Sequence, residues 1–154
     1  MFAWLRRKAD KSPADAPVAA RLGSIGVVSP WMRAMPTVPW IAGGYMKLLN
    51  DGDFDRLISA SSAATTGIEL HGVRVKGSGI RMARLDNGVA VPNGGMELKL
   101  RGYHLLMLLA GPVKVGDKVP VTLTFEQAGD LVVDFLVESP GPVGEPILNQ
   151  PREG

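Results

Sequence analysis

Two histidines and two methionines have side chains and spacings that could bind a metal ion. Met82 follows His71 by eleven positions, His104 follows Met82 by twenty-two, and Met107 follows His104 by three. Monovalent copper prefers polarisable sulfur and imidazole ligands over carboxylate or water oxygens. A thioether is neutral and binds weakly enough to exchange, which suits a protein that must release its metal. Two imidazoles and two thioethers would give a four-coordinate site without any thiolate.

The same residues also have an ordinary structural interpretation. Methionine commonly fills gaps in hydrophobic cores, and an isolated histidine on a half-apolar strand can simply be a hydrogen-bonded structural residue. Other methionines are equally visible: Met46 and Met96 fit core or strand-edge positions, whereas Met32 and Met35 fall in a Pro-rich stretch where side chains can be exposed. The residue types alone therefore leave a metal site and a structural role both open.

Composition excludes several classes of function. The chain has no cysteine, so disulfides, zinc–thiolate sites and iron–sulfur clusters are ruled out. Seventeen basic and fifteen acidic residues give a net charge of +2, and four of the cations lie in the first dozen residues, which leaves no basic stripe for nucleic acid. The serines of "SASSAA" lack a nucleophile elbow, and we expect no enzymatic activity.

The chain divides into three parts. Residues 1–24 are rich in Ala, Pro and charge, and we expect a flexible leader. Their positive charges are not followed by an apolar segment, so they do not match a secretory signal. Residues 139–154 form a Pro- and Gly-rich tail, which leaves residues 25–138 as one folded domain. The chain has no run of about 18 apolar residues, so we expect no transmembrane segment.

The folded domain has the pattern of an all-β protein. Short runs rich in β-branched residues alternate with turn signals, which predicts about eight strands in a sandwich or Greek-key barrel with little helix. We expect a loop at "PWMRAMPTVPW", turns at "KGSG" and at the hairpin signal "DNG", and a final hairpin joined near Ala128–Gly129.

The spacing and the surrounding segments resemble a known family. The pattern H-x₁₀-M-x₂₁-H-x-M belongs to the periplasmic copper chaperones called PCu(A)C, and His71, Met82 and His104 match it. "SPWMRAMP", "GGYMKLLNDGDFDRLISASS" and "PVKVGDKVPVTLTFEQAGDLVVDFLV" resemble further blocks of that family, so the resemblance covers about residues 25–137. It implies a cupredoxin-like fold and a periplasmic Cu(I) carrier. Such a carrier delivers copper to a terminal oxidase subunit or to another copper carrier.

One departure from the family pattern concerns the fourth ligand. The family has methionine two residues after the second histidine, where this chain has Leu106. Met107, at plus three, faces away from His104 in a regular strand, unless a bulge turns it round. The resemblance therefore implies copper ligands at His71, Met82 and His104, with Met107 as a possible fourth. The alternative is a β-sandwich binding or structural module whose metal site has degenerated.

Overall fold

The protein folds as an all-β domain. The computed structural model describes residues 17–77 and 79–140, without the side chains of residues 73–76, 80 and 81. These described residues form eleven strands and no helix, which confirms the predicted fold class. The strands are β1 Val18–Leu22, β2 Ile25–Ala34, β3 Ile41–Asn50, β4 Asp55–Ser61, β5 Thr65–Lys76, β6 Gly79–Arg84, β7 Val89–Val91, β8 Met96–Leu98, β9 His104–Leu109, β10 Lys118–Phe125 and β11 Gly129–Glu138.

One sheet contains all of these strands. Its order is β6-β5-β9-β3-β2-β11-β10-β4-β7, with β1 beside β2 and β8 beside β3. The β11–β2 contact is parallel and the other pairings are antiparallel. Buried side chains from distant strands, such as Leu105 of β9 and Leu123 of β10, belong to one hydrophobic cluster. The sheet therefore curls around a single core, as a half-barrel.

Two of the predicted hairpins are confirmed. β10 and β11 pair in continuous register from Lys118–Leu136 to Phe125–Gly129, at the junction that the sequence indicates. β5 and β6 pair from His71–Arg84 to Lys76–Gly79, so their turn lies at "KGSG". Gly77 there has φ of +60°, a conformation that glycine adopts without steric cost. This second hairpin brings His71 and Met82 onto neighbouring strands.

The predicted loop at "PWMRAMPTVPW" is wrong in its first half. β2 continues through Pro30 to Ala34, because the register shifts between Val28 and Trp31 and Ser29 takes φ of +52°. A bulge of this kind accommodates a proline within a strand. Met32 and Met35, expected where side chains can be exposed, are consequently buried in the core.

The remaining differences concern short elements. The "DNG" turn does not join a hairpin, since β6 pairs with β5 whereas β7 pairs with β4. The strands that were not expected are β7, which has only three residues, and β1, which forms at residues 18–22, inside the expected leader. β1 is mostly exposed and is defined by backbone pairing with β2, which hydrophobic patterning does not detect. The rest of the leader up to residue 16 and the tail beyond residue 140 lie outside the described residues.

Gly43 on β3 leaves space for a buried aromatic ring. A Cβ atom at Gly43 would lie 2.8 Å from Cζ of Tyr45, which is closer than such atoms approach. We expect Gly43→Ala to lower the free energy of unfolding by about 1–3 kcal/mol, because the ring must leave its position. Urea denaturation measures this change.

Gly67→Ala on β5 is the matched control. Its added Cβ would meet only Cδ1 of Leu108, at 4.0 Å, so the expected change is below about 0.5 kcal/mol. Equal destabilisation by the two substitutions would show that the clash with the Tyr45 ring is not the cause.

Candidate metal centre

The two histidines lie side by side on neighbouring strands. β5 and β9 are antiparallel, and their register places His71 directly opposite His104. Directly opposite residues on paired strands project from the same face of the sheet. The centroids of the two imidazole rings are 5.5 Å apart, with an interplanar angle of 41°. Residues separated by 33 positions in the chain are thus held as one cross-strand pair.

One nitrogen of each ring has a hydrogen-bond acceptor. His104 Nδ1 lies 2.9 Å from the carbonyl oxygen of Gly102, and His71 Nε2 lies 2.9 Å from Oε1 of Glu69. A carbonyl and an ionised carboxylate can only accept, so these two nitrogens carry the protons. The other nitrogen of each neutral ring, His71 Nδ1 and His104 Nε2, then has a free lone pair.

These two lone-pair nitrogens are buried and have no hydrogen-bond partner among the residues that the structure describes. Burying a polar atom without a partner is costly, and such an atom usually marks a water, an ion or a functional role. A metal-to-nitrogen bond of about 2 Å places the centroids of two ligating rings about 5 to 6 Å apart. The observed separation fits one ion shared by both rings.

Met82 lies on the same face of the sheet, on the far side of β5. β6 pairs with β5 so that Arg84 is opposite His71 and Met82 is opposite Val73. Met82 is therefore a diagonal neighbour of His71, a relation with a backbone separation of about 7–8 Å that long side chains can span. Its side chain is partly buried. The structure thus brings together three of the four residues that the sequence singles out.

The fourth residue, Met107, lies elsewhere. The register between β5 and β9 is regular from His71–His104 to Ile68–Met107, so no bulge turns Met107 towards the histidines. Its side chain is fully buried in the hydrophobic core, and its sulfur would be 3.2 Å from a Cβ atom placed on Gly44. Leu106 takes the position beside His104 on the histidine face, opposite Glu69.

Sequence reasoning missed three neighbours of the histidine pair. Tyr45 lies beside His104, with ring centroids 6.4 Å apart, and Trp31 stacks on Tyr45 at 4.6 Å. Tyr45 is buried and encloses the His104 side of the pair. Glu69 is two residues before His71, and this spacing on a strand places both on one face. The triplet "ELH" was therefore a readable signal for the contact between Glu69 and His71.

Within the described residues, no three His, Cys, Asp or Glu side chains are grouped so that they could hold a metal ion. Met82 provides a thioether on the same face of the sheet as the two histidines. Two imidazoles with one thioether form a soft donor set, which favours Cu(I).

A family model described as "Putative lipoprotein LpqE-like" matches residues 25–137. The chain belongs to the LpqE-like family. A "Putative lipoprotein Lxx21020" of Leifsonia xyli subsp. xyli is 27% identical over 103 residues, and the match covers 66% of this chain. This LpqE-like chain spans about three fifths of that relative, since the match covers 61% of its length.

Solved structures of similar fold are PCuAC domains, which confirms the resemblance drawn from the sequence. The copper-bound PCuAC domain from PmoF2 has a TM-score of 0.67 and 28% identity, over 78% of this chain and 97% of that domain. The Cu(I) form of DR1885 from Deinococcus radiodurans has a TM-score of 0.59 and 26% identity, over 85% of each chain. The described residues of the LpqE-like chain include no helix long and apolar enough to cross a membrane.

Burial makes His104 harder to protonate. Desolvation lowers the pKa of His104 below its usual value and the nearby His71 lowers it further, although the contact with the Gly102 carbonyl opposes them. In the unfolded chain His104 takes up a proton near pH 6.5, whereas in the folded metal-free chain it remains neutral to lower pH. Unfolding therefore takes up a proton below about pH 6.5, which destabilises the fold.

We expect the metal-free LpqE-like protein to lose stability between pH 7.5 and pH 5.5, and His104→Gln to lose less over the same range. Urea denaturation at the two pH values measures both changes, and the other titrating groups are common to both proteins. An identical pH dependence in the two proteins would show that His104 is as easily protonated when folded as when unfolded.

Proposed function

We propose that this LpqE-like protein is a Cu(I) carrier that holds the ion between His71, Met82 and His104. The observation that supports this function most strongly is the pair of buried imidazole nitrogens without partners in the described structure. A cation bound between them would satisfy both lone pairs at once. The copper-bound forms of similar domains support copper as the metal.

Release of the ion follows from the same donor set. None of the three ligands carries a negative charge, so the site holds Cu(I) without strong electrostatic attraction. The thioether can leave and return without any proton transfer, which allows an incoming ligand to replace it. We propose that copper passes by such ligand exchange to a terminal oxidase subunit or to another copper carrier, with no catalysed reaction. The lipoprotein descriptions of the family and of its relative support a location outside the cytoplasm.

The two methionines give a direct test of the ligand set. We expect Met82→Leu to weaken Cu(I) binding at least about tenfold, since changes one shell further out already cost 10–100-fold in metal affinity. Met107→Leu is the matched control, because its sulfur lies in the core, and it should leave the affinity within about twofold. Competition with a colorimetric Cu(I) chelator measures both. Equal losses in the two variants would exclude this assignment of the sulfur ligand.

The histidines are tested in the same titration. His71→Ala and His104→Ala should each abolish stoichiometric Cu(I) binding while the circular-dichroism spectrum remains that of a β protein. Unchanged Cu(I) affinity in the protein that carries both His71→Ala and His104→Ala would exclude the proposed copper site.

A degenerate binding module is the second candidate function, and Leu106 is the observation that favours it. Leu106 has the position on the histidine face where the resembled family has a thioether. The two functions differ in thermal unfolding, since a ligand that binds only the folded state must raise the midpoint. We expect saturating Cu(I) to raise the midpoint of the wild-type protein. No shift would favour the degenerate module.

Leu106→Met should convert the site to four ligands. The substitution conserves volume, so we expect a cost below about 1.5 kcal/mol in stability and at least about tenfold tighter Cu(I) binding, by analogy with the cost of losing the Met82 thioether. Leu108→Met, two residues further along the same face, is the control, and it should not change the affinity. A Leu106→Met protein that binds Cu(I) no more tightly than wild type would show that position 106 lies outside the coordination sphere.

A further inference from the structure

We infer that Glu69 is a positioning residue that fixes His71 as the Nε2–H tautomer, so that the metal is bound through Nδ1 of His71 and Nε2 of His104. The inference deepens the proposed function and rests on it. It concerns which atom of His71 binds the ion and which side chain makes that choice.

The contact that carries the inference lies within one strand. Oε1 of Glu69 is 2.9 Å from Nε2 of His71, and the two residues are separated by one position on β5, so they share a face of the sheet. The His71 side chain is only 13% exposed, and that of Glu69 is 33% exposed. A partly buried carboxylate that accepts a charge-assisted hydrogen bond is a strong orienting partner.

A side chain of the neighbouring strand β6 contacts Glu69. Its second oxygen, Oε2, lies 3.7 Å from Nη1 of Arg84, and Arg84 is opposite His71 in the β5–β6 register. Nε of Arg84 donates to Oδ1 of Asp86 at 2.8 Å. The acceptor on His71 therefore belongs to a chain of side chains that crosses to β6, the strand that also carries Met82.

The two rings are oriented by different means. A backbone carbonyl, that of Gly102, accepts from Nδ1 of His104, and no side-chain substitution removes it. His71 has a side-chain acceptor instead. In the other tautomer of His71, the protonated Nδ1 would face the ion and no lone pair of this ring would point into the site. The choice of tautomer at His71 thus depends on one replaceable residue.

Glu69→Ala, Glu69→Gln and Glu126→Ala form the test set. Glutamine keeps an acceptor oxygen without the charge. Glu126 is an exposed carboxylate in the β10–β11 turn, so its alanine variant removes the same charge away from the site. Long-range ¹H–¹⁵N correlation spectra of the metal-free proteins report the tautomer of each histidine, and chelator competition reports the Cu(I) affinity.

We expect His71 to be the Nε2–H tautomer in the wild-type, Glu69→Gln and Glu126→Ala proteins, and a mixture of tautomers in Glu69→Ala. The Cu(I) affinity of Glu69→Ala should fall 10–100-fold, the usual effect of losing a partner of a metal-binding histidine. The Cu(I) affinity of Glu69→Gln should lie between those of Glu69→Ala and wild type, and the affinity of Glu126→Ala should equal that of wild type. The thermal unfolding midpoints of the metal-free variants show whether each fold is retained.

Different results separate the inference from the proposed function. A wild-type protein that binds no Cu(I) removes the proposed function, whatever the tautomer. Binding that is unchanged in Glu69→Ala, or an Nδ1–H tautomer in wild type, overturns the inference and leaves the copper carrier standing. A loss of affinity in Glu69→Ala without any change of tautomer also overturns it, since Glu69 would then act as a direct ligand or through its charge.

Discussion

The pairing of His71 with His104 across β5 and β9 is the constraint on which the rest of the site depends. Direct opposition in the ladder sets the ring separation of 5.5 Å. Each ring uses one nitrogen on an acceptor and keeps the other buried and without a partner in the described structure. Two buried lone pairs without partners are costly, and the proposed soft cation would remove that cost by accepting both of them.

In the proposed site, strand alternation decides which methionine sulfur can bind the ion. Met82 is a diagonal neighbour of His71 on β6, whereas Met107 is an odd number of residues from His104 and lies in the core. The curled sheet thus has its main hydrophobic cluster on one face of β9 and the histidine pair on the other. Tyr45 and Trp31 extend the second face across β3 and β2, so the imidazoles are enclosed without joining that cluster.

Much of this arrangement could be predicted from particular residues. The resemblance of the His71, Met82 and His104 spacing to a known family implied three members of the group, and the "KGSG" turn indicated the hairpin that carries two of them. Alternation alone indicated that Met107 faces away from His104. The strand through Pro30 could not be predicted, because the proline is tolerated only through a bulge that the sequence does not announce. The partner of β7 depends on long-range backbone pairing with β4, which a local pattern does not detect, and β1 is a mostly exposed strand paired with β2. The role proposed for Glu69 depends on which nitrogen of His71 it contacts, and the sequence does not give this.

X-ray absorption at the copper edge of the Cu(I)-loaded protein identifies the atoms that coordinate the ion. We expect copper to be coordinated by two imidazole nitrogens and one sulfur, with the sulfur contribution lost in Met82→Leu and retained in Met107→Leu. A first shell of oxygen and nitrogen without sulfur, or a sulfur that persists in Met82→Leu, would contradict this ligand set.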